Sequence, residues 1–244
     1  MTRKPVRGLF ITGTDTEIGK TYACALIAQA LVAAGHKVGV YKPAASGCSR
    51  EGGTLVSDDA LALWKAAGSP GTLEEVCPQR FAAPLAPHLA AKAEGKQLDA
   101  NLLRRGLDVW LERSDIVLVE GAGGLMSPMG DDEYVADLAY DFGFPLVVVA
   151  RNTLGTINHV LQTLIAAAAF QEGLDVVGIV LNESQPTKND PSTAQNATEI
   201  RRRAVAPLLA ELKFGSQQFS SAVDWYALAG VPRELDCDDE DEAP

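Results

Sequence analysis

The chain has 244 residues, 47% of them apolar, enough to bury the core of one large α/β domain and to exclude disorder as the state of the whole. Lys and Arg number 21 against 32 Asp and Glu, and the resulting −11 repels phosphate backbones and anionic membrane surfaces, which argues against nucleic acid and lipid as partners. More than half of that excess sits on Asp236, Asp238, Asp239, Glu240, Asp241 and Glu242, which read as a solvated tail over 236–244 behind a domain of 1–235.

The first apolar run, Arg7 to Thr12, predicts a strand and is too short for a secretory h-region. Directly after it stands Gly13-Thr14-Asp15-Thr16-Glu17-Ile18-Gly19-Lys20-Thr21, and a helix pattern from about Lys20 to Ala34 follows, closed by Gly35. Strand, Gly-bounded loop, Lys-Thr and helix is the context of a phosphate-binding loop. Its glycines let backbone N–H groups converge on phosphate oxygens, the helix N-terminus adds its dipole, Lys20 neutralises β/γ charge and Thr21 can ligate Mg²⁺. Five residues separate Gly13 from Gly19, one more than in the common G-x-x-x-x-G-K-[ST] spacing.

A second strand, Lys37 to Tyr41, ends at Lys42 with Ser46 just beyond. Two ammonium groups at one sheet edge, Lys20 and Lys42, suit attack of an anionic nucleophile on a phosphoryl group, because the reactants repel each other and must be neutralised together. Gly47 to Gly53 reads as a loop, Asp58 to Ala67 and Asn101 to Glu112 as helices, and Pro78 to Pro87 as irregular chain. The strand Asp115 to Val119 runs into Glu120, a carboxylate at the edge where open α/β sheets bind ligands, and Gly121-Ala122-Gly123-Gly124 permits close backbone approach. Read alone, Glu120 fits a metal ligand or a helix-capping acid equally well.

A fourth strand is expected at Pro145 to Ala150, a helix from about Thr153 to Gln171 and a fifth strand at Asp175 to Leu181. These continuous Val/Ile/Leu runs alternating with helices predict an α/β domain with a mostly parallel sheet covered on both faces. Ser184 to Thr198 reads as a loop or lid, and Glu199 to Leu212 as a further helix. Cys24, Cys48, Cys77 and Cys237 show no C-x-x-C spacing and read as reduced thiols; without an apolar run of 18 residues, a cytoplasmic protein follows.

Taken in order from about residue 8 to 182, Gly13 to Thr21, Tyr41-Lys-Pro-Ala-Ala-Ser-Gly47, Ser57-Asp-Asp-Ala-Leu-Ala-Leu63, Ala86-Pro-His88, Val119-Glu-Gly-Ala-Gly-Gly124 and Leu154-Gly-Thr-Ile-Asn-His159 resemble the dethiobiotin synthetases. The longer phosphate loop is that family's own form. The resemblance implies an ATP- and Mg²⁺-dependent cyclo-ligase of biotin biosynthesis that closes the ureido ring from 7,8-diaminononanoate and CO2, working as a homodimer on small molecules. By position, it assigns Glu17, Ile18, Gly19, Lys20, Thr21, Tyr22, Gly121, Ala122, Gly123, Asn182 and Glu183 to the nucleotide, Asn182 reading the adenine edge. Thr21, Asp59 and Glu120 would hold the metal, Asp59 rather than Asp58 because it directly precedes Ala-Leu-Ala-Leu. Lys42 would hold the carbamate and the transferring phosphoryl group, alongside Lys20 and Thr16 in catalysis. Thr16 and Ser46 would contact the substrate, and the helix start Thr156-Ile157-Asn158 would take its carboxylate, from the other protomer.

Two readings compete with this one. A P-loop switch ATPase of the partitioning type would carry a second lysine five residues before Lys20, where this chain has Asp15. An amido-ligase of the corrin type would need a glutamine-hydrolysing domain for which 244 residues leave no room.

Overall fold

The computed structural model describes residues 5–186 and 190–232; the acidic residues Asp236 to Glu242, and Cys237, lie outside them. Six strands form the central sheet: β1 Arg7–Gly13, β2 Val38–Tyr41, β3 Ile116–Glu120, β4 Leu146–Arg151, β5 Val176–Asn182 and β6 Leu208–Leu212. Their order is β6-β5-β4-β1-β3-β2 and every pairing is parallel, so all six carboxyl ends share one edge. A parallel sheet suits strands buried on both faces, and the inner strands are so: β3 is buried at all five positions, and Phe10, Ile11, Leu118 and Val147 have no solvent exposure, while the edge strand β6 is only partly covered.

Helices α1 Lys20–Ala33, α2 Asp58–Ala66, α3 Val135–Phe142, α4 Thr156–Ala169 and α5 Thr193–Arg203 provide the cover. The expected helix over Glu199 to Leu212 is corrected. The helix occupies Thr193–Arg203, and Leu208–Leu212 is the sixth strand, pairing Leu212 with Asn182. The chain is already extended at Ala204, ψ 141°, and Pro207 keeps Ala206 out of helical backbone, so the helix does not resume before the strand. The expected helix over Asn101 to Glu112 is two short ones, Ala100–Arg105 and Asp108–Arg113.

In the stretch expected as a loop over Gly47 to Gly53, Ser49–Glu51 instead forms a short strand antiparallel to Thr54–Val56, with Gly52 and Gly53 at the turn. The Pro-rich stretch supplies Gln79–Arg80, which pairs with Ala44–Ala45 and so fixes the segment between Lys42 and Ser46. The C-terminal part returns over the first strand, where Gly8 and Gly230 exchange backbone hydrogen bonds of 2.7 and 3.1 Å.

Candidate active site at the carboxyl edge of the sheet

The loop between β1 and α1 is held open by its glycines. Gly19 lies at φ 88° as the N-cap of α1, and a Cβ there would overlap the side-chain amide of Asn182. A Cβ on Gly13 would stand 2.6 Å from Ile18 Cδ1 and 2.9 Å from Lys20 Cδ, so the loop folds back on itself only with glycine there. Glu17 is in left-handed backbone at φ 53°, and Arg151 Nη2 donates to its carbonyl at 2.7 Å. Asn182 Nδ2 donates to Ile18 O at 2.8 Å.

Four elements then deliver charge to one place. Lys42, at the end of β2, is buried and stands 2.6 Å from Glu120 Oε1 at the end of β3 and 3.0 Å from Asp59 Oδ2 in the first turn of α2. Thr21 in α1 donates through Oγ1 to the same Glu120 oxygen at 2.8 Å. Ser57 sets α2 by accepting from Ala60 N, which turns Asp59, and not Asp58, toward Lys42. Burial is the largest influence on Lys42 and pushes its pKa down, but the Glu120 and Asp59 carboxylates outweigh it and hold the ammonium above the ordinary lysine value. For Asp59, burial raises the carboxyl, and Lys42 more than reverses that.

Lys20 is also buried, with Nζ donating to Asp15 O at 2.9 Å. Its pKa is lowered, first by burial and then by repulsion from Lys42, against the pull of Glu120. The loop after β3 approaches the phosphate loop: Leu125 N donates to Gly13 O at 3.3 Å, and Ser127 Oγ accepts from Gly124 N at 2.8 Å.

A magnesium ion fits this edge. Glu120 is 1% exposed, yet its Oε2 has no hydrogen-bond partner among the described residues, a charged acceptor of the kind a metal ion satisfies. Among the described residues no three His, Cys, Asp or Glu side chains cluster as a metal site. Mg²⁺ needs only one or two carboxylates and completes its octahedron with water and phosphate oxygens. Thr21 Oγ1 and Asp59 are the other hard donors present.

Lys20, Thr21, Lys42, Asp59 and Glu120 therefore form one contiguous group. Thr16 and Glu17 lie exposed on the loop, Ser46 is half-buried four residues beyond Lys42, and Gly121 to Gly123 lead away from Glu120. Asn182 braces the loop from below, and Glu183 beside it pairs with Lys213 at 2.6 Å. Tyr22 donates its hydroxyl to Ser216 O. Thr156, Ile157 and Asn158 share the sheet edge but, among the described residues, make no hydrogen bond or ion pair with the Lys42 group. Thr156 is buried, and its Oγ1 has no partner among the described residues. Beside this helix start a cleft of about 460 Å³ is lined by Thr14, Asp15, Met126, Ser127, His159 and Gln162, among others.

Sequence reasoning passed over Arg151, which ends β4 as Glu120 ends β3; a charged residue closing a buried strand was the available signal. It also passed over Asn152 and Asn196, whose pairing across 44 positions leaves no local trace.

A family model described as an AAA domain matches residues 7–217. The ATP-dependent dethiobiotin synthetase of Rhodopirellula baltica is 42% identical over 215 residues, covering 84% of this chain and 83% of its own. That of Anaeromyxobacter dehalogenans strain 2CP-C is 46% identical over 198 residues, covering 81% and 85%, and that of Salmonella typhi is 38% identical over 203 residues, covering 83% and 87%. Among solved structures, cell division protein FtsY from Thermotoga maritima superposes with a TM-score of 0.50 at 15% identity, over 89% of this chain and 64% of that one. This chain spans just under two thirds of that structure, and the likeness is one of fold alone.

Proposed function

The chain belongs to the dethiobiotin synthetase family and acts as an ATP-dependent ligase of biotin biosynthesis, and we propose that the Lys42 group carries its ring closure. One amine of 7,8-diaminononanoate takes up CO2 as a carbamate and releases a proton. A carbamate oxygen attacks the γ-phosphorus of ATP and ADP leaves. The second amine then attacks the carbamoyl carbon, phosphate leaves and the ureido ring closes. Both amines belong to one bound molecule, so the last step has the rate advantage of an intramolecular reaction once water is kept from the mixed anhydride.

The buried ion pair of Lys42 with Glu120 at 2.6 Å supports this reading most directly. It keeps an ammonium fully charged at the point where an anionic carbamate must meet an anionic phosphoryl group. Lys20 and the backbone N–H groups of Glu17 to Tyr22 hold the phosphates, and Thr16 and Ser46 orient the diamine and carbamate. Thr21, Asp59 and Glu120 would hold Mg²⁺, which when bound neutralises phosphate oxygens. Gly121, Ala122 and Gly123 admit the nucleotide. With its amide nitrogen engaged by Ile18, Asn182 keeps its carbonyl for the exocyclic amine of adenine, next to Glu183.

The substrate carboxylate goes to the N-terminus of α4, where backbone N–H groups and the helix dipole attract an anion. We place that helix start in the other protomer of a homodimer, because Met126 at the cleft and Ile165 on α4 are large apolar residues left exposed. No described helix is long and apolar enough to cross a membrane, and we propose that the enzyme works in the cytoplasm.

Phosphate release from ATP tests the reading: it is expected only when diaminononanoate and bicarbonate are both present, with dethiobiotin formed in equal amount. Steady hydrolysis without the diamine would instead favour the switch ATPase.

A further inference from the structure

The turn from Arg151 to Gly155 leads from β4 into α4, and it is tied down on three sides. Toward the phosphate loop, Arg151 Nη2 holds Glu17 O, and Asn152 N donates to Asn182 O at 2.7 Å. Toward α4, Thr156 N donates to Thr153 O at 3.2 Å, so the direction of the helix start is inherited from Thr153.

The third side is α5. Asn196 Nδ2 donates to Asn152 Oδ1 at 2.8 Å and to Thr153 O at 3.1 Å, and Asn152 Nδ2 donates to Thr193 O at 3.3 Å. Below them Thr153 Oγ1 donates to Asp190 Oδ2 at 3.2 Å. Asn152 and Asn196 are each only 3% exposed. Packing α5 on the sheet needs no amides, and the apolar cluster of Val160, Leu164, Ile179 and Ile200 already performs it. Two buried amides that spend their bonds on one turn are a means of fixing that turn's geometry, because a buried polar group is tolerated only in the arrangement that satisfies it.

We infer that Asn152 and Asn196 are positioning residues for the acid end of the substrate: by clamping the Arg151–Gly155 turn they aim the backbone N–H groups at the start of α4. This rests on the reading above that the α4 N-terminus receives the substrate carboxylate. The clamp acts on that carboxylate and leaves the Lys42 group alone, so it sets selectivity for a diamine bearing an acid over one without it.

The test compares 7,8-diaminononanoate with the vicinal diamine of equal chain length lacking the carboxyl group, at saturating MgATP. Wild-type enzyme is expected to prefer the acid in kcat/KM. Asn196→Asp is isosteric but sets a carboxylate against Asn152 Oδ1 and Thr153 O. It is expected to reduce that preference at least tenfold through KM for the acid, leaving kcat/KM for the acid-free diamine and KM for ATP within threefold. Thr153→Val, which removes only the Asp190 contact, shifts the preference in the same direction by less and decides the matter if Asn196→Asp does not fold. Unchanged preference in folded variants, or equal losses on both diamines, overturns the inference. Wild-type enzyme that uses both diamines equally overturns it together with the helix-start seat, while ring closure itself stands. Wild-type enzyme that closes no ring on either diamine sinks the functional reading and the inference with it, a result visible before any substitution is made.

Discussion

At the end of β2, one lysine neutralises two carboxylates that would otherwise face each other in a largely closed site. Replacing Lys42 by Met keeps the volume and removes the charge, leaving Glu120 buried beside Asp59 with no cation bonded to it and Lys20 the remaining ammonium nearby. Breaking a buried pair in this way costs about 3–5 kcal/mol. In a chain of this size that corresponds to a melting temperature lower by roughly 10 °C. Because the same oxygens are hard metal donors, Mg²⁺ should return much of the loss, and thermal unfolding with and without Mg²⁺ checks it. A melting point equally low in both conditions would count against the metal assignment. The same variant should bind ATP nearly normally while ring closure falls by roughly 10²–10³, the effect of removing one preorganised charge from a transition state. Glu120→Gln is the complementary change: it keeps an acceptor for Lys42 and Thr21 but forfeits the unpaired carboxylate oxygen, so the Mg²⁺ concentration needed for half-maximal activity should rise at least tenfold in a titration.

The phosphate loop works as an element because its backbone conformations exclude side chains. Gly19→Ala must hold an alanine at φ 88° and push the Asn182 amide off Ile18 O. Left-handed strain of this kind costs about 1–3 kcal/mol, enough to shift the melting point by a few degrees. The loop's N–H groups lose their common focus, so nucleotide affinity should fall more than tenfold in an equilibrium titration; an affinity within twofold of wild type would contradict the loop's assignment. This element was legible in the sequence because its residue types sit at fixed spacing between a strand and a helix. So was the sheet, because runs such as Ile116-Val117-Leu118-Val119 suit strands buried on both faces. Leu208 to Leu212 was misread: its Leu, Ala and Glu are good helix formers, and the informative residue was Pro207, which keeps the helix from resuming and lets the segment join β5. Helix α3 escaped notice because it spans only eight residues after the polar stretch Asp131-Asp132-Glu133. The choice of Asp59 over Asp58 rested on resemblance, and the physical reason lies in where Ser57 caps α2, a matter of geometry. The clamp made by Asn152 and Asn196 joins distant segments through side-chain amides, so no local pattern announces it.

At the scale of the molecule, the parallel sheet gathers the carboxyl ends of β1, β2 and β3 into the Lys42 group and leaves the start of α4, after β4, outside it. A single protomer thus carries the Lys42 group and a separate helix start, and the proposed homodimer would bring one protomer's helix start to the other's charges. On α4 His159, Gln162, Thr163 and Ala166 line the cleft, and Ile165, 68% exposed, flanks that row as the large apolar residue proposed to meet the second copy. Substituting Asp at an exposed position should change the stability of the protomer by no more than about 0.5 kcal/mol. Across a two-fold contact, however, the same change sets two new carboxylates into an apolar surface. Wild type is expected to sediment as a dimer and Ile165→Asp as a monomer that melts within a few degrees of it at matched concentration and binds ATP with unchanged affinity. Ring closure should fall at least tenfold, because each active site loses the seat for its substrate's acid end. A monomeric variant with full activity would show that one chain supplies the whole site and would relocate the carboxylate seat, whereas a variant that remains dimeric would move the interface to another face.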